Sequence, residues 1–262
     1  MTPTADVRTL TEPVAGSEVR VEPKATPGIE INGIPADLAH VVRADVRVDL
    51  AATDGSNLGT NRSFVVEHVL GPLGLRGVTA ARVEGLTETW AFARPEHRFC
   101  YSIGLSPSSV VGHPAGLPNP DLAAALGRVG LVGQPSTRTT VSEPVSAEVG
   151  GGRLTLRPRE YGSGIRFEAS YGEASLSVEV DPVDGADDAL VERVTTSTTP
   201  YLSPDDDEGV THAIADLVSD VAVLGGFDDL VVEADLAGAY HALTVGAVRT
   251  AYETGVVVDR EG

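Results

Sequence analysis

Gly152-Arg-Leu-Thr-Leu-Arg-Pro-Arg-Glu-Tyr-Gly-Ser-Gly-Ile-Arg-Phe167 alternates apolar and polar side chains on either side of a centre rich in Pro and Gly. That is the pattern of a strand, a turn and a second strand. Ser17-Glu-Val-Arg-Val-Glu-Pro-Lys-Ala-Thr-Pro-Gly-Ile-Glu-Ile31 reads the same way. Outward from each hairpin the order continues alike. A further strand follows, at residues 46–50 in the first half and 174–180 in the second. A histidine-bearing helix is next, at 63–70 and at 211–224, each trailed by glycines and a strand, near 78–83 and near 230–234. Each half closes on one more helix, at 121–129 and 240–252. Strands, helix, strand, helix therefore occur twice, which reads as an internal repeat. The expected fold is α+β, with two similar domains, 1–133 and 134–262, each a small β-sheet layered with two helices. The boundary falls in the polar linker Gly133-Gln-Pro-Ser-Thr-Arg-Thr139. Residues 86–120 and 181–209 read as loop-like.

Composition narrows the function. The chain has 262 residues, of which 42% are hydrophobic, enough to bury a core in either half. There is no run of about 18 apolar residues, and the N-terminus lacks a basic region followed by an apolar core, so neither a membrane span nor a secretory signal is expected. Cys100 is the single cysteine, which fits a reducing, cytoplasmic setting. Against 38 acidic residues stand 19 basic ones, a formal net charge of -19, and Lys24 is the lone lysine. Such a surface repels nucleic acid and anionic lipid. A small-molecule substrate and a monomeric chain are expected.

Two segments carry candidate chemistry. In Thr211-His-Ala-Ile-Ala-Asp-Leu-Val-Ser-Asp220, helical pitch sets His212, Asp216 and Asp220 on one stripe and Ile214, Leu217, Val218 and Val221 roughly opposite. In the helix at 63–70, Glu67 and His68 are the polar pair, either the wet face of a surface helix or groups in need of buried partners. Taken together the two helices suggest a metal site. Catalytic zinc commonly takes three His or carboxylate ligands and keeps a fourth position for water. His212 and Asp216 offer two ligands from one face and His68 a third, with Glu67 as general base. His241, at the start of the last helix, can protonate a leaving amine, with Asp220 on its other ring nitrogen. The remaining histidines, His40, His97 and His113, match no motif, and Trp90, Phe92, Phe99 and Tyr101 either line a pocket or cover a core.

With these residues in view the chain resembles the UDP-3-O-acyl-N-acetylglucosamine deacetylases, the zinc-dependent deacetylases of lipid A biosynthesis. Val65-Val-Glu-His-Val-Leu70 followed by Gly74-Leu75 is similar to that family's TVEHLL…GLG segment. His212 through Gly225 is similar to HKILDAIGDLYLLG, and Tyr240-His-Ala-Leu243 to GHAL. The resemblance covers most of the chain outside the two loop-like stretches. It implies zinc at His68, His212 and Asp216, located at the domain interface, with Glu67 as base, His241 as acid and Asp220 orienting His241. Where the family has a phosphate-binding lysine after its second zinc histidine, this chain has Ala213. A PIMDGSA-like segment is replaced by residues 86–95, and residues 181–211 are too short for the family's acyl-chain passage and ARTF segment, with Thr198 or Thr199 the candidate stand-in for that segment's threonine. The expectation is a shortened, divergent zinc amidohydrolase that removes an acyl group, most simply acetyl, from a small polar or sugar-like amide. Two alternatives stay open: the family's own reaction on its sugar nucleotide, and a non-catalytic metal-binding protein of the same fold.

Overall fold

The computed structural model of the chain describes residues 9–16, 19–45, 47–52, 62–63, 65–86, 119–133, 137–181, 185–197, 205–238 and 240–261. Trp90, Phe92, Phe99, Tyr101, His97, His113, Cys100, Thr198 and Thr199 lie outside these residues.

The fold is α+β, and two five-stranded sheets carry it. In space the first runs Val14–Gly16, Val19–Pro23, Ala80–Glu84, Gly28–Ile31, Ile34–Pro35. The second runs Val145–Val149, Gly152–Pro158, Leu230–Leu236, Ile165–Tyr171, Ala174–Val180. In both, the third strand in space pairs antiparallel with the second and parallel with the fourth. Local turn chemistry sets the hairpins. Asn32-Gly33 (φ 50° and 77°) joins the paired Ile31 and Ile34, and Gly150-Gly151 (φ 62° and 91°) joins Val149 and Gly152. Two successive left-handed residues make the turn whose twist matches that of the strands it connects. Residues on either side of the expected linker pair within their own half: Leu131–Val132 with Thr9–Leu10, and Thr137–Val141 with Val257–Glu261.

Five helices, among the described residues, pack on these sheets: α1 (Glu67–Leu75), α2 (Asn119–Gly127), α3 (Asp188–Thr196), α4 (Asp206–Leu217) and α5 (His241–Glu253). Four details differ from the sequence reading. The stretches 17–31 and 152–167 are not hairpins: in each, the two strands flank a third, Ala80–Glu84 or Leu230–Leu236, which takes up the hydrogen bonds they would have exchanged. The helix expected at 63–70 starts at Glu67 and runs to Leu75, while Ser63 belongs to a short strand paired with Val48–Ala51. Helix α3 lies inside a stretch read as a loop; it starts where the Asp187 carboxylate accepts the Leu190 N–H, an N-cap that supplies one of the orphan donors of a first turn. The helix expected at 211–224 begins earlier, at Asp206, capped by Asp205, and continues past Leu217 as a π-helical segment, Val218–Leu224.

Close packing of α1 on α4 positions the site. A Cβ on Gly71 would stand 2.8 Å from the Ala215 carbonyl oxygen, and one on Gly74 would stand 2.6 Å from Val218 Cγ1. His68 and His212 face each other one step earlier, ring centroids 5.6 Å apart. The contacts thus advance three residues at a time along both helices, as in side-by-side parallel packing. The two cores interlock around this crossing: Leu75 and Ala123 belong to the core of the second sheet, and Leu224 and Val245 to that of the first.

Candidate metal centre

Sequence alone leaves open whether the polar stripe of α4 and the polar pair of α1 face water. Neither does: Glu67, His68, His212, Asp216, Asp220 and His241 are all buried. Ionisable groups of this kind are almost never fully buried without partners, so each one's surroundings matter.

Glu67 and His68 are delivered by a tight entry into α1. The strand Val48–Ala51 holds it: Val66 N–H donates to Val48 O (3.0 Å) and Val65 N–H to Asp49 Oδ1 (3.2 Å). Val65 has φ 55°, a genuine outlier for a β-branched residue. Asp49 is itself paired with Arg47 (3.0 Å), both buried. Glu67 Oε2 accepts the Val48 N–H at 2.9 Å, which fixes its rotamer. Burial pushes the Glu67 carboxyl up to about 8 despite the opposing influence of His241.

His68, His212 and Asp216 each offer one ligand atom, and these three atoms lie within 4.8 Å of one another. His212 Nε2 is 3.4 Å from Asp216 Oδ2, one helical turn along α4. Its Nδ1 donates to the Ser197 carbonyl oxygen (3.3 Å), which fixes the ring with Nε2 facing Asp216. Burial, helped by His212, brings His68 down to about 3, so its imidazole is neutral at working pH. Asp216 is the converse case: burial would raise it, but His212, His241, His68 and the Tyr240 hydroxyl hold it below the usual carboxylate range.

The donor set fits a divalent cation. Two imidazoles and a carboxylate are the ligand kinds of catalytic zinc. His68 Nδ1 and Asp216 Oδ1 are buried and lack a hydrogen-bond partner, which is costly for groups serving only a folded core.

Beside this trio, His241 Nδ1 stands 2.7 Å from Asp220 Oδ2, and His241 Nε2 is 3.7 Å from Asp216 Oδ2. Burial alone would lower His241, but Asp220 and Asp216 outweigh it and raise it to about 10. The imidazolium is thereby kept charged, with Nε2–H on the side of the ligand cluster.

Among the described residues, the structure brings Glu67, His68, His212, Asp216, Asp220 and His241 into one buried cluster, while the other sequence candidates, Thr198, Thr199 and the aromatics of 86–120, lie outside those residues. The structure adds three that sequence reasoning missed. Tyr240 Oη donates to Asp216 Oδ2 at 2.5 Å, Thr244 Oγ1 donates to Asp220 Oδ2, and the Ser197 carbonyl holds His212. Of these, only Thr244 had a signal in the sequence, its i, i+3 spacing from His241 on one helix face. His40 stays apart, paired with Asp37 at 2.7 Å.

In comparisons with known proteins, no family model and no curated protein matches the chain.

Proposed function

We propose that the protein is a zinc-dependent amidohydrolase that removes an acyl group, most simply acetyl, from the nitrogen of a small polar or sugar-like amide. On this reading it is a divergent relative of the UDP-3-O-acyl-N-acetylglucosamine deacetylases. The observation that carries it is convergence: Glu67 and His68 from one half meet His212, Asp216, Asp220 and His241 from the other in one buried cluster. The three motifs behind the resemblance thus share one location. Two similar domains closing on an interface site account for the matching strand order of the two sheets.

His68, His212 and Asp216 would hold the metal. Zinc there would supply a Lewis acid that makes water more acidic and polarises an amide carbonyl. Glu67, held by the Val48 N–H through Oε2 and next to His68, would take the proton of the attacking water at its carboxylate. His241, held as the imidazolium by Asp220, gives its Nε2 proton to the departing amine nitrogen. Asp220 holds that ring in place through Nδ1, and Thr244 holds Asp220. The products are the carboxylate and the free amine.

Ala213, where the family has its phosphate-binding lysine, is fully buried in the core of the second half. A long cation does not fit there, which favours an uncharged amide over a sugar nucleotide. Metal content of the purified chain, together with release of free amine from N-acetylated amino sugars, tests the reading. About one zinc per chain and hydrolysis that collapses in Glu67→Ala are expected. Absence of any stoichiometric divalent metal, or hydrolysis intact in Glu67→Ala, overturns it.

A further inference from the structure

The residue before His241 makes a short hydrogen bond to one of the three candidate ligand side chains. Tyr240 Oη donates to Asp216 Oδ2 at 2.5 Å. The Tyr240 side chain is buried, its ring lies 5.2 Å from the His241 ring, and its backbone is pinned on both sides: its N–H donates to Gly238 O and its carbonyl accepts the Thr244 N–H. The phenol therefore has little freedom to move away from Asp216.

A carboxylate can turn one oxygen or both toward a cation. For Asp216 the choice is constrained on one side. Oδ2 receives the phenol O–H and lies 3.4 Å from His212 Nε2 and 3.7 Å from His241 Nε2, whereas Oδ1 is buried with no partner. Turning both oxygens fully onto one cation would strain or break the phenol hydrogen bond. We infer that Tyr240 is a positioning residue that limits Asp216 to one-oxygen ligation of the metal centre. This rests on the reading of that centre given above. Sequence offers no hint of this, because the pair is joined through space between two helices rather than by spacing within one.

Tyr240→Phe removes the O–H and keeps the ring. The full chain, stripped by chelation and titrated with Co(II) alone, reports both affinity and coordination through its visible d–d band. The expected result is a 10- to 100-fold weaker Kd for Y240F, the usual size for a lost partner of a metal ligand, together with a changed d–d intensity. Metal-free Y240F is expected to stay folded and melt cooperatively, its melting point lowered only by the loss of one donor to a buried carboxylate. An unchanged Kd and spectrum overturn the inference. So does a phenolate-to-metal charge-transfer band in Cu(II)-loaded wild type that vanishes in Y240F, since Tyr240 would then be a ligand. Wild type that binds no Co(II) at all removes the centre itself, a separate and recognisable failure. Wild type labelled with 3-fluorotyrosine needs no variant: one 19F resonance is expected to move when zinc is added, and a spectrum in which none moves overturns the inference.

Discussion

Gly71 lies directly against the backbone of Ala215: a Cβ on Gly71 would stand 2.8 Å from the Ala215 carbonyl oxygen and 3.1 Å from its Cβ. Backbone cannot yield as a flexible side chain can. Gly71→Ala is expected to part α1 from α4 and to destabilise the protein by about 1–3 kcal/mol, the usual cost of overpacking. His68 is one helical turn from Gly71, so metal affinity is expected to fall as well. Denaturant unfolding and Co(II) titration of G71A check both parts; unchanged values in the two would mean that the crossing is not what aligns the ligands.

Metal-free protein is expected to lose stability as pH rises above about 6.5. Burial raises Glu67 to about 8, and Asp220 and Asp216, against burial, raise His241 to about 10, each above its unfolded value of 4.5 or 6.5. The folded state therefore keeps protons that the unfolded state has released, and stability falls through those windows. His68, lowered by burial to about 3, acts in the opposite sense between pH 3 and 6.5 and offsets Glu67 over part of that range. Above pH 6.5 nothing among these three opposes the decline. Thermal melts of chelated protein from pH 5 to 10 should show it, and His241→Gln should flatten the portion between pH 8 and 10.

Asp220→Asn should leave the metal ligands in place while removing the anion that keeps His241 charged at 2.7 Å. The alkaline limb of the kcat/KM profile is then expected to move to lower pH, because the acid loses its proton sooner. An alkaline limb at the same pH in D220N would show that His241 is not the group being titrated.

Arg47 and Asp49 form a buried pair, and Asp49 also accepts the N–H of Val65, the left-handed residue two positions before Glu67. Asp49→Ala leaves a buried guanidinium without its carboxylate and is expected to cost about 3–5 kcal/mol. Replacing both, as Arg47→Met with Asp49→Leu, should recover much of this in urea unfolding. Turnover should not recover with it, because the Val65 N–H still lacks its acceptor and the start of α1 is released.

Much of this molecule is legible in its residues. Alternation around Pro23 and around Pro158 gave the strands on either side, because a half-buried strand must alternate, but not their pairing: a third strand, Ala80–Glu84 or Leu230–Leu236, lies between the two in each sheet. His212, Asp216 and Asp220 were found together because helical pitch lines them up within one element. What sequence could not show is contact between elements. Tyr240 reaches Asp216, and Val48 reaches Glu67, across gaps fixed only by packing. The π-helical segment at Val218–Leu224 was equally hidden, since Val, Ser, Asp and Ala suit either pitch. Helix α3 had an audible start signal in Asp187, but the prolines and acidic run around it outweighed that in the reading.

His68 comes from one end of the chain, and His212 and Asp216 from near the other. A cation bound by all three in the folded chain, and released when the chain unfolds, would tie the two segments together and stabilise the fold by mass action. Zinc would then be a staple as well as a reagent: stripping it would loosen the two halves from each other before it unfolded either one, and amide exchange at the α1–α4 seam would quicken first.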